Sequence, residues 1–327
     1  MAVTNSLANR KQNQPSQVQE SNGGITAFLN RLDVVANIDQ ALGKDNRQRF
    51  ITGVISAVNN NPELKACSNK SILSGALLGE SLKLSPSPQL GHYYLVPYND
   101  KNQGKVAQFQ LGYKGYIQLA IRSGQYKKLN VLEIKEGELE YFDPLNEEIK
   151  INLMIDKWEE REQAKTIGYY AMFELTNGFR KAIYWSKKKM MAHADKYSPA
   201  FSIKETTVKT RYGDKKKVSF EAFEAGNYSE QDAWMYSSFW YKNFDGMAFK
   251  TMLRQLISKW GIMSVELQNA FENDMTFTDE SGKVNYVEPV DDVIEMEDIP
   301  QPDEVQGEIT EYSENESTSA ASALFGK

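Results

Sequence analysis

The sequence predicts an α+β fold, in which a helical N-terminal part precedes a mainly antiparallel β-sheet with packed helices. Apolar residues recur at helical spacing from Ile25 to about Leu84. From Gly91 apolar and polar residues alternate, as they do in strands that bury one face. Helical patterns return between and after the strands, which is typical of the α+β class. From Asp279 the chain becomes acidic and poor in apolar residues, which predicts a disordered tail.

Three helices are expected before Leu84. Asn61–Pro62 and Ser85–Pro88 interrupt the helical pattern, because proline and short polar residues favour turns. The predicted helices are Ile25–Leu32 running on towards Leu42, Asn46–Asn59, and Lys70–Leu82.

A β-hairpin should follow these helices. Its strands, Tyr93–Pro97 and Val106–Leu111, flank the turn-rich segment Tyr98–Gly104. The next segment, Leu111–Ser123, has helical spacing, and Gly124 stands where a left-handed C-terminal cap would fall.

The remaining elements alternate between strand and helix. Further strands are predicted at Leu129–Glu136, Ile149–Leu153, Thr166–Leu175 and Phe179–Trp185. Further helices are predicted at Ser186–Ala194 and Tyr236–Met263. A second hairpin, with arms Phe201–Arg211 and Lys216–Phe223, should turn at Tyr212–Asp214.

The charge divides the chain into unlike parts. Residues 279–327 hold fourteen Asp or Glu against two Lys, a net charge of −12, whereas the whole chain carries −6. The first 278 residues therefore carry +6, and a basic folded surface favours binding to a polyanion. Because residues 1–24 lack apolar periodicity, we expect a disordered segment at 1–24, a folded core at 25–278 and an acidic, largely disordered tail at 279–327.

The composition excludes several classes of protein. An apolar content of 41% fits a globular protein, and no run reaches the roughly 18 apolar residues of a membrane span. The single cysteine, Cys67, excludes an internal disulfide, and Met1–Gly24 lacks the apolar core of a signal peptide, so we expect a cytoplasmic protein. With only His92 and His193 available, Cys67 is better interpreted as a small buried hydrophobe than as a metal ligand. We predict no catalytic residue and no metal site.

The helix at Leu111–Ser123 carries the clearest binding pattern. Lys114, Gln118 and Arg122 recur every four residues and share one side, while the apolar residues Tyr116, Ile117, Ala120 and Ile121 fall on the other. No Asp or Glu occurs between Lys101 and Lys128, whereas an ordinary solvated surface mixes both signs. A basic surface helix without a ligand is the alternative.

Other segments could extend this basic surface. Gln108 and Gln110 share one face of the preceding strand, next to Lys105. Ser186–Val218 holds ten Lys or Arg, among them Lys204, Lys209 and Arg211, against three acidic residues. That segment could lie along a nucleic-acid backbone, or it could be a solubilising loop in which Lys216 or Lys217 protects an edge strand. Lys250 and Arg254 share a stripe of the last predicted helix. The nearby aromatic residues could stack on bases, although core packing is favoured for most: Trp234, Tyr236, Phe239, Trp240 and Tyr241.

Three segments carry a resemblance to a known family. They are Leu111–Gly124, with the sequence LGYKGYIQLAIRSG, Asp245–Gly261, with the sequence DGMAFKTMLRQLISKWG, and Ser71–Pro86 followed by His92–Pro97. They resemble the signature segments of the RecT/Redβ family of phage single-strand annealing proteins, in the family's order and spacing over about residues 45 to 262.

The resemblance implies ATP-independent binding of single-stranded DNA and annealing of complementary strands in recombination, on an oligomeric ring or filament. In agreement, no Gly-Lys pair is followed by Ser or Thr, so the phosphate-binding loop of ATPases is absent from the sequence. No cofactor is expected, and the sequence leaves a need for Mg²⁺ open. The implied partners are single-stranded and annealed DNA, further copies of the chain, and, through the acidic tail, a phage exonuclease and a single-strand-binding protein.

Phosphate contacts are expected from cations and amides, so that the bases stay free to pair. Lys114, Gln118, Arg122, Lys250 and Arg254 are assigned this role. Supporting contacts are assigned to Lys105, Gln108, Gln110, Lys204, Lys209 and Arg211, and contacts to sugar or base to Tyr94 and Tyr113.

Two alternatives remain. The first is a nucleic-acid-coating protein without annealing activity. The second is a metal-dependent nuclease, since Glu133-Ile134-Lys135 resembles half of one nuclease pattern, although no matching upstream Asp is evident.

Overall fold

Helices and antiparallel sheets combine in the computed structural model, which describes residues 24–100, 103–210, 213–279 and 283–286. The α+β class predicted from the sequence is confirmed, since every strand pair described is antiparallel. None of the helices described is long and apolar enough to cross a membrane.

Helices open the described chain. They are α1 (Ile25–Leu29), α2 (Leu32–Leu42), α3 (Lys44–Asn60) and α4 (Asn69–Ser81), with a 3-10 turn at Pro62–Ala66. The first predicted helix is divided, because Arg31 has an extended backbone and its side chain pairs with Asp33 at 2.8 Å. Gly43, with a φ of 79°, separates the next two helices.

The predicted hairpin follows as β1 (Tyr93–Asp100) and β2 (Gly104–Leu111), paired from Tyr93 opposite Leu111 to Asp100 opposite Gly104. Helix α5 (Tyr113–Arg122) comes next, and Gly124 has the predicted positive φ, 68°. Two short strands near the C-terminus, β10 (Thr276–Thr278) and β11 (Val284–Tyr286), complete a sheet of order β1-β2-β10-β11. The predicted start of the tail, Asp279, thus lies between two strands. The predicted N-terminal segment, apart from Gly24, and almost all of the tail lie outside the described residues.

A second sheet has the order β3-β6-β7. Its strands are β3 (Tyr126–Lys135), β6 (Thr166–Leu175) and β7 (Arg180–Ser186). Between β3 and β6 the chain forms a hairpin of β4 (Leu139–Asp143) and β5 (Glu148–Ile151), then helix α6 (Trp158–Gln163). The sequence reasoning missed β4 and α6.

The C-terminal half of the described chain is mostly helical around a small hairpin. Its elements are α7 (Lys187–Tyr197), β8 (Thr206–Thr210), β9 (Gly213–Lys217), α8 (Phe220–Glu224), a 3-10 turn (Glu230–Tyr236), α9 (Phe239–Lys242), α10 (Phe244–Trp260) and α11 (Val265–Asn273). The predicted second hairpin is too long. Its second arm ends at Lys217, and Ser219 then caps a helix by accepting a hydrogen bond from the Ala222 amide.

The predicted helix Tyr236–Met263 is divided at Asn243. The backbone of Asn243 is extended, with a φ of −154°, and its side chain accepts a hydrogen bond from the Gly246 amide. An asparagine in this position satisfies one of the unpaired amides at the start of a helix. A new helix, α10, therefore begins at Phe244.

Helix α10 joins two hydrophobic cores. Its residues Leu253 and Ile257 belong to a core formed by α1–α4, the β1–β2 hairpin and α5. Its residues Met252 and Leu256 belong to a second core with β6, α7 and α9. Because α10 is apolar on two sides, it fixes the N-terminal helices and the second sheet to one another.

Candidate nucleic-acid interface

The side of α5 that faces solvent carries the predicted polar stripe. Lys114, Gln118 and Arg122 are all exposed, while Tyr116 and Ala120 are fully buried against the first core. We call these three exposed residues the α5 stripe. One apolar residue departs from the expected pattern, since Ile121 is 57% exposed and does not pack.

Arg122 lies at the end of α4. Its guanidinium donates hydrogen bonds to the carbonyl oxygens of Leu82 and Lys83, the latter at 3.2 Å. Unpaired carbonyls at the C-terminus of a helix carry partial negative charge and favour a cation. Arg122 nevertheless remains exposed, so its charge is accessible from solvent.

The charges of the α5 stripe reach the neighbouring loop. The pKa of His92 is lowered mainly by burial and further by the positive charges of Arg122 and Lys114. A neutral imidazole is therefore favoured beside this basic surface.

The β1–β2 hairpin presents two amides on one face, as the alternation predicted. Gln108 is 3% exposed, and its amide nitrogen donates to the Met275 carbonyl at 2.7 Å. The amide nitrogen of Gln110 donates to the Gln108 side-chain oxygen at 2.8 Å. Both line a cavity of about 300 Å³, together with Phe239 and Lys242, which we call the amide cavity.

A smaller cavity of about 40 Å³ adjoins the amide cavity and shares Gln110, Phe239 and Met247 with it. The rings of Tyr94 and Phe239 lie 5.5 Å apart in this region. The two cavities together bring five predicted binding residues close to one another: Tyr94, Gln108, Gln110, Tyr113 and Lys250.

Lys250 and Arg254 share a stripe of α10, as predicted, but this stripe faces a buried carboxylate. The side chain of Asp274 is fully buried, and its two oxygens lie 3.0 Å from Lys250 Nζ and 3.3 Å from Arg254 Nη1. Lys250 itself is 4% exposed. The structure therefore gives both cations a partner within the chain.

Asp274 also holds the start of α5. It accepts hydrogen bonds from the Leu111 amide and the Tyr116 hydroxyl, both at 2.8 Å. We call Asp274, Lys250, Arg254 and Tyr116 the Asp274 network. It joins β2, α5 and α10, and the sequence reasoning missed its central residue because Asp274 lies far along the chain from each partner.

The remaining predicted contacts lie on two hairpins. Lys105, at the start of β2, is exposed. Lys204, just before β8, and Lys209, within β8, are exposed as well. Arg211 lies outside the described residues.

Lys217 does not lie at an exposed edge. It is 5% exposed, donates to the Ala200 carbonyl at 2.8 Å and lies 4.5 Å from the centre of the Tyr241 ring. Burial lowers its pKa to about 8. Lys217 therefore fixes the hairpin to the protein, whereas Lys204, Lys209 and Lys216 are exposed.

Most of the predicted aromatic cluster packs in the second core. Tyr236, Trp240 and Tyr241 are buried, whereas Trp234 is 50% exposed. Phe239 lines both cavities and Trp240 lines the amide cavity, so these two members of the cluster are placed to contact a ligand there.

Known proteins match most of the region that holds these features. The family model described as RecT family matches residues 48–288. The chain belongs to the RecT family. The uncharacterized protein YqaK of Bacillus subtilis is 36% identical over 276 residues, which are 84% of this chain and 80% of YqaK. Protein RecT of Escherichia coli is 30% identical over 162 residues, which are 48% of this chain and 58% of that protein.

The region matched by the RecT family contains the α5 stripe, both cavities and the Asp274 network. The resemblance expected from the three sequence segments is thus confirmed at the level of family.

The tripeptide that suggested a nuclease has other partners in this RecT-family chain. Glu133 pairs with Arg161 at 2.9 Å, and Lys135 Nζ donates to the Thr166 hydroxyl at 3.0 Å. No three His, Cys, Asp or Glu side chains come close enough to hold a metal ion in the part of the chain that the structure describes. Cys67 is buried, and burial raises the pKa of its thiol to about 11.

Proposed function

We propose that this chain binds single-stranded DNA and anneals complementary strands without ATP hydrolysis, holding the product on an oligomer. The observation that carries the proposal is the exposed α5 stripe, close to cavities lined by amides and aromatic rings, in a member of the RecT family. Such a surface suits a ligand that has phosphates along one side and rings along the other.

Annealing requires affinity for the backbone without preference for sequence. Lys114 and Arg122 bind phosphates by charge, and Gln118 donates to phosphate oxygens as a neutral amide. Lys105, Lys204 and Lys209 extend the positive potential. Under this proposal the bases of the bound strand remain available for a complementary strand.

The cavities supply a second kind of contact. Tyr94, Tyr113 and Phe239 offer ring surfaces, which stack on any base with little dependence on its identity. Gln108 and Gln110 are already hydrogen-bonded in a chain, so we assign them to the wall of the amide cavity and not to a clamp on phosphate. Lys250 and Arg254 act on DNA indirectly, by fixing α5 through Asp274.

The proposal extends to partners. Further copies of the chain assemble along DNA, because one groove covers only a short length of strand. The acidic segment from Asp279, most of which lies outside the described residues, is proposed to dock a phage exonuclease and a single-strand-binding protein, as the family resemblance implies. A bacterial cytoplasm is the proposed location.

Annealing can be tested directly. We expect the purified chain to accelerate duplex formation between two complementary fluorescent strands in buffer without ATP. Repeating the assay with EDTA present shows whether Mg²⁺ is needed. Non-complementary strands are the control. Tight binding to both strands without faster duplex formation would favour the coating protein instead, and cleavage of either strand would favour a nuclease.

Replacement of Lys114 by Ala is expected to weaken single-strand binding equally for unrelated sequences. Loss of one phosphate contact lowers the slope of log affinity against log salt by about 0.7. Binding is measured by fluorescence anisotropy over a range of salt concentrations. Lys44→Ala at the start of α3 is the matched control, since it removes the same charge from an exposed lysine. An unchanged slope for Lys114→Ala would remove this residue from the interface.

A further inference from the structure

One segment of the first 278 residues, which together are positively charged, is itself acidic. Residues 136–163, which include the β4–β5 hairpin and α6, contain ten acidic and three basic residues, a net charge of −7. We call this region the acidic module. Like charge repels it from DNA, so this surface is unsuited to binding the strand.

A buried carboxylate gives the acidic module a defined structure. The Glu138 side chain accepts hydrogen bonds from the Lys135 amide at 2.8 Å and the Met154 amide at 3.1 Å, and it pairs with Arg161 at 2.7 Å. These contacts tie the strand before the module, the loop after β5 and helix α6 to one point. The exposed residues of the module are therefore held in place.

Large apolar side chains are exposed on the acidic module. Leu145 is 87% exposed, Ile155 73% and Trp158 61%. Around them, Glu140, Glu147 and Glu160 form ion pairs with lysines. Other exposed acidic side chains of the module form no ion pair with any described residue and remain available to a partner. They are Glu136, Glu148, Asp156, Glu159 and Glu162. Exposed apolar groups with a charged rim are typical of a protein-binding surface.

A complementary surface lies beside the β3-β6-β7 sheet, which the module also contacts. Phe142 of the module contacts Tyr184 of the edge strand β7, with ring centres 5.2 Å apart, while His193 of α7 contacts the next residue, Trp185, at 5.5 Å. Consecutive residues of a strand point to opposite faces, so the β4–β5 hairpin of the module and α7 contact opposite faces of the sheet. Helix α6 is held at the edge strand β3, where Arg161 pairs with Glu133.

The charges of the two sides are opposite in sign. Helix α7 holds four lysines and one aspartate, a net charge of +3, whereas the module carries −7. Lys188 and Lys189, in the first turn of α7, are exposed. A chain with opposite charges on two faces is complementary to a second copy of itself in a head-to-tail arrangement, which repeats without closing into a dimer.

We propose that the acidic module docks on the α7 face of a second copy of this chain and so builds the oligomer. This inference rests on the proposed function, in which several copies line up on one DNA strand. It specifies which surfaces meet, and it leaves the α5 stripe outside the contact.

A charge-exchange experiment with the full chain tests the proposal. Assembly on a long oligo-dT strand is followed by sedimentation velocity. Glu159→Lys/Glu162→Lys and Lys188→Glu/Lys189→Glu should each raise the protein concentration for half assembly by at least roughly tenfold, because like charges then meet at the contact. The chain with all four substitutions should return to within about threefold of the unaltered protein.

The matched control is Asp45→Lys/Glu272→Lys, which likewise places two lysines at exposed helical positions, in the first turn of α3 and the last turn of α11. Its assembly should stay as in the unaltered chain. Extra positive charge strengthens DNA binding in general, so a loss of assembly in the module variant cannot come from weaker DNA binding. Thermal melting of each variant confirms that it folds.

The outcomes separate this inference from the proposed function. The docking proposal would be overturned if the module variant assembled as well as the unaltered chain, or if the control lost assembly to the same extent. It would also be overturned if the chain with all four substitutions failed to recover. An unaltered chain that neither binds nor anneals single strands would instead overturn the proposed function.

Discussion

Replacement of Lys250 by Ala is expected to lower the free energy of unfolding by about 3–5 kcal/mol, the range for removing one partner of a buried ion pair. The Asp274 carboxylate would stay fully buried, with the Arg254 guanidinium at 3.3 Å as its remaining cation. It would keep its hydrogen bonds from Leu111 and Tyr116, which alone do not neutralise its charge. Urea unfolding followed by tryptophan fluorescence measures the loss.

Two further variants make this prediction specific. Lys259→Ala changes an exposed lysine on the same helix and should cost less than about 1 kcal/mol. Asp274→Asn combined with Lys250→Ala should be less damaging than Lys250→Ala alone, since the amide oxygen still accepts from Leu111 without a buried charge. Unchanged stability together with lost DNA binding in Lys250→Ala would contradict the structural role and support a direct phosphate contact.

The Asp274 network also shows where sequence reasoning ends. Periodicity is local, so it correctly placed Lys114, Gln118 and Arg122 on the solvent side of α5, and Lys250 with Arg254 on one stripe of α10. It cannot say what lies opposite a stripe. A cation that faces solvent and a cation that faces a carboxylate from a distant segment have the same helical spacing.

Short elements were missed for a related reason. The strand Thr166–Leu175 was predicted with its observed bounds, because ten residues give alternation a clear signal. The strands β10 and β11 have three residues each, too few for any period. β10 forms because β2 offers an edge to pair with, and β11 in turn pairs with β10. Tertiary contacts decide such elements.

Replacement of Gly115 by Ala is expected to destabilise the protein by about 3 kcal/mol or more, at the upper end of the range for overpacking. A β-carbon built on Gly115 would lie 2.1 Å from the backbone oxygen of His92. Gly112 has a similar restriction, with a β-carbon 2.2 Å from the backbone oxygen of Gly91, and its amide donates to the His92 oxygen at 2.8 Å. Backbone oxygens cannot rotate away, so α5 would have to move.

The matched control for Gly115→Ala is Gly53→Ala. Gly53 lies inside α3, and its β-carbon would meet only Pro86 Cγ, at 3.5 Å, an ordinary contact. Alanine there should stabilise the helix by about 0.5–1 kcal/mol. Urea unfolding of both variants should therefore give shifts of opposite sign, and a stable Gly115→Ala protein would contradict the close approach of α5 to the chain at His92.

The same close approach links the glycine to DNA binding. Lys114 extends across residue 91, where a β-carbon on Gly91 would lie 3.4 Å from Lys114 Cδ. If α5 moves, Lys114 loses this position. Where Gly115→Ala still folds at low temperature, its single-strand affinity should fall, and adding Lys114→Ala should then cost less than it does in the unaltered chain, because the lysine is already displaced. Anisotropy titrations of the four proteins in this double-mutant cycle measure the coupling, and strictly additive losses would show that Gly115 does not position Lys114.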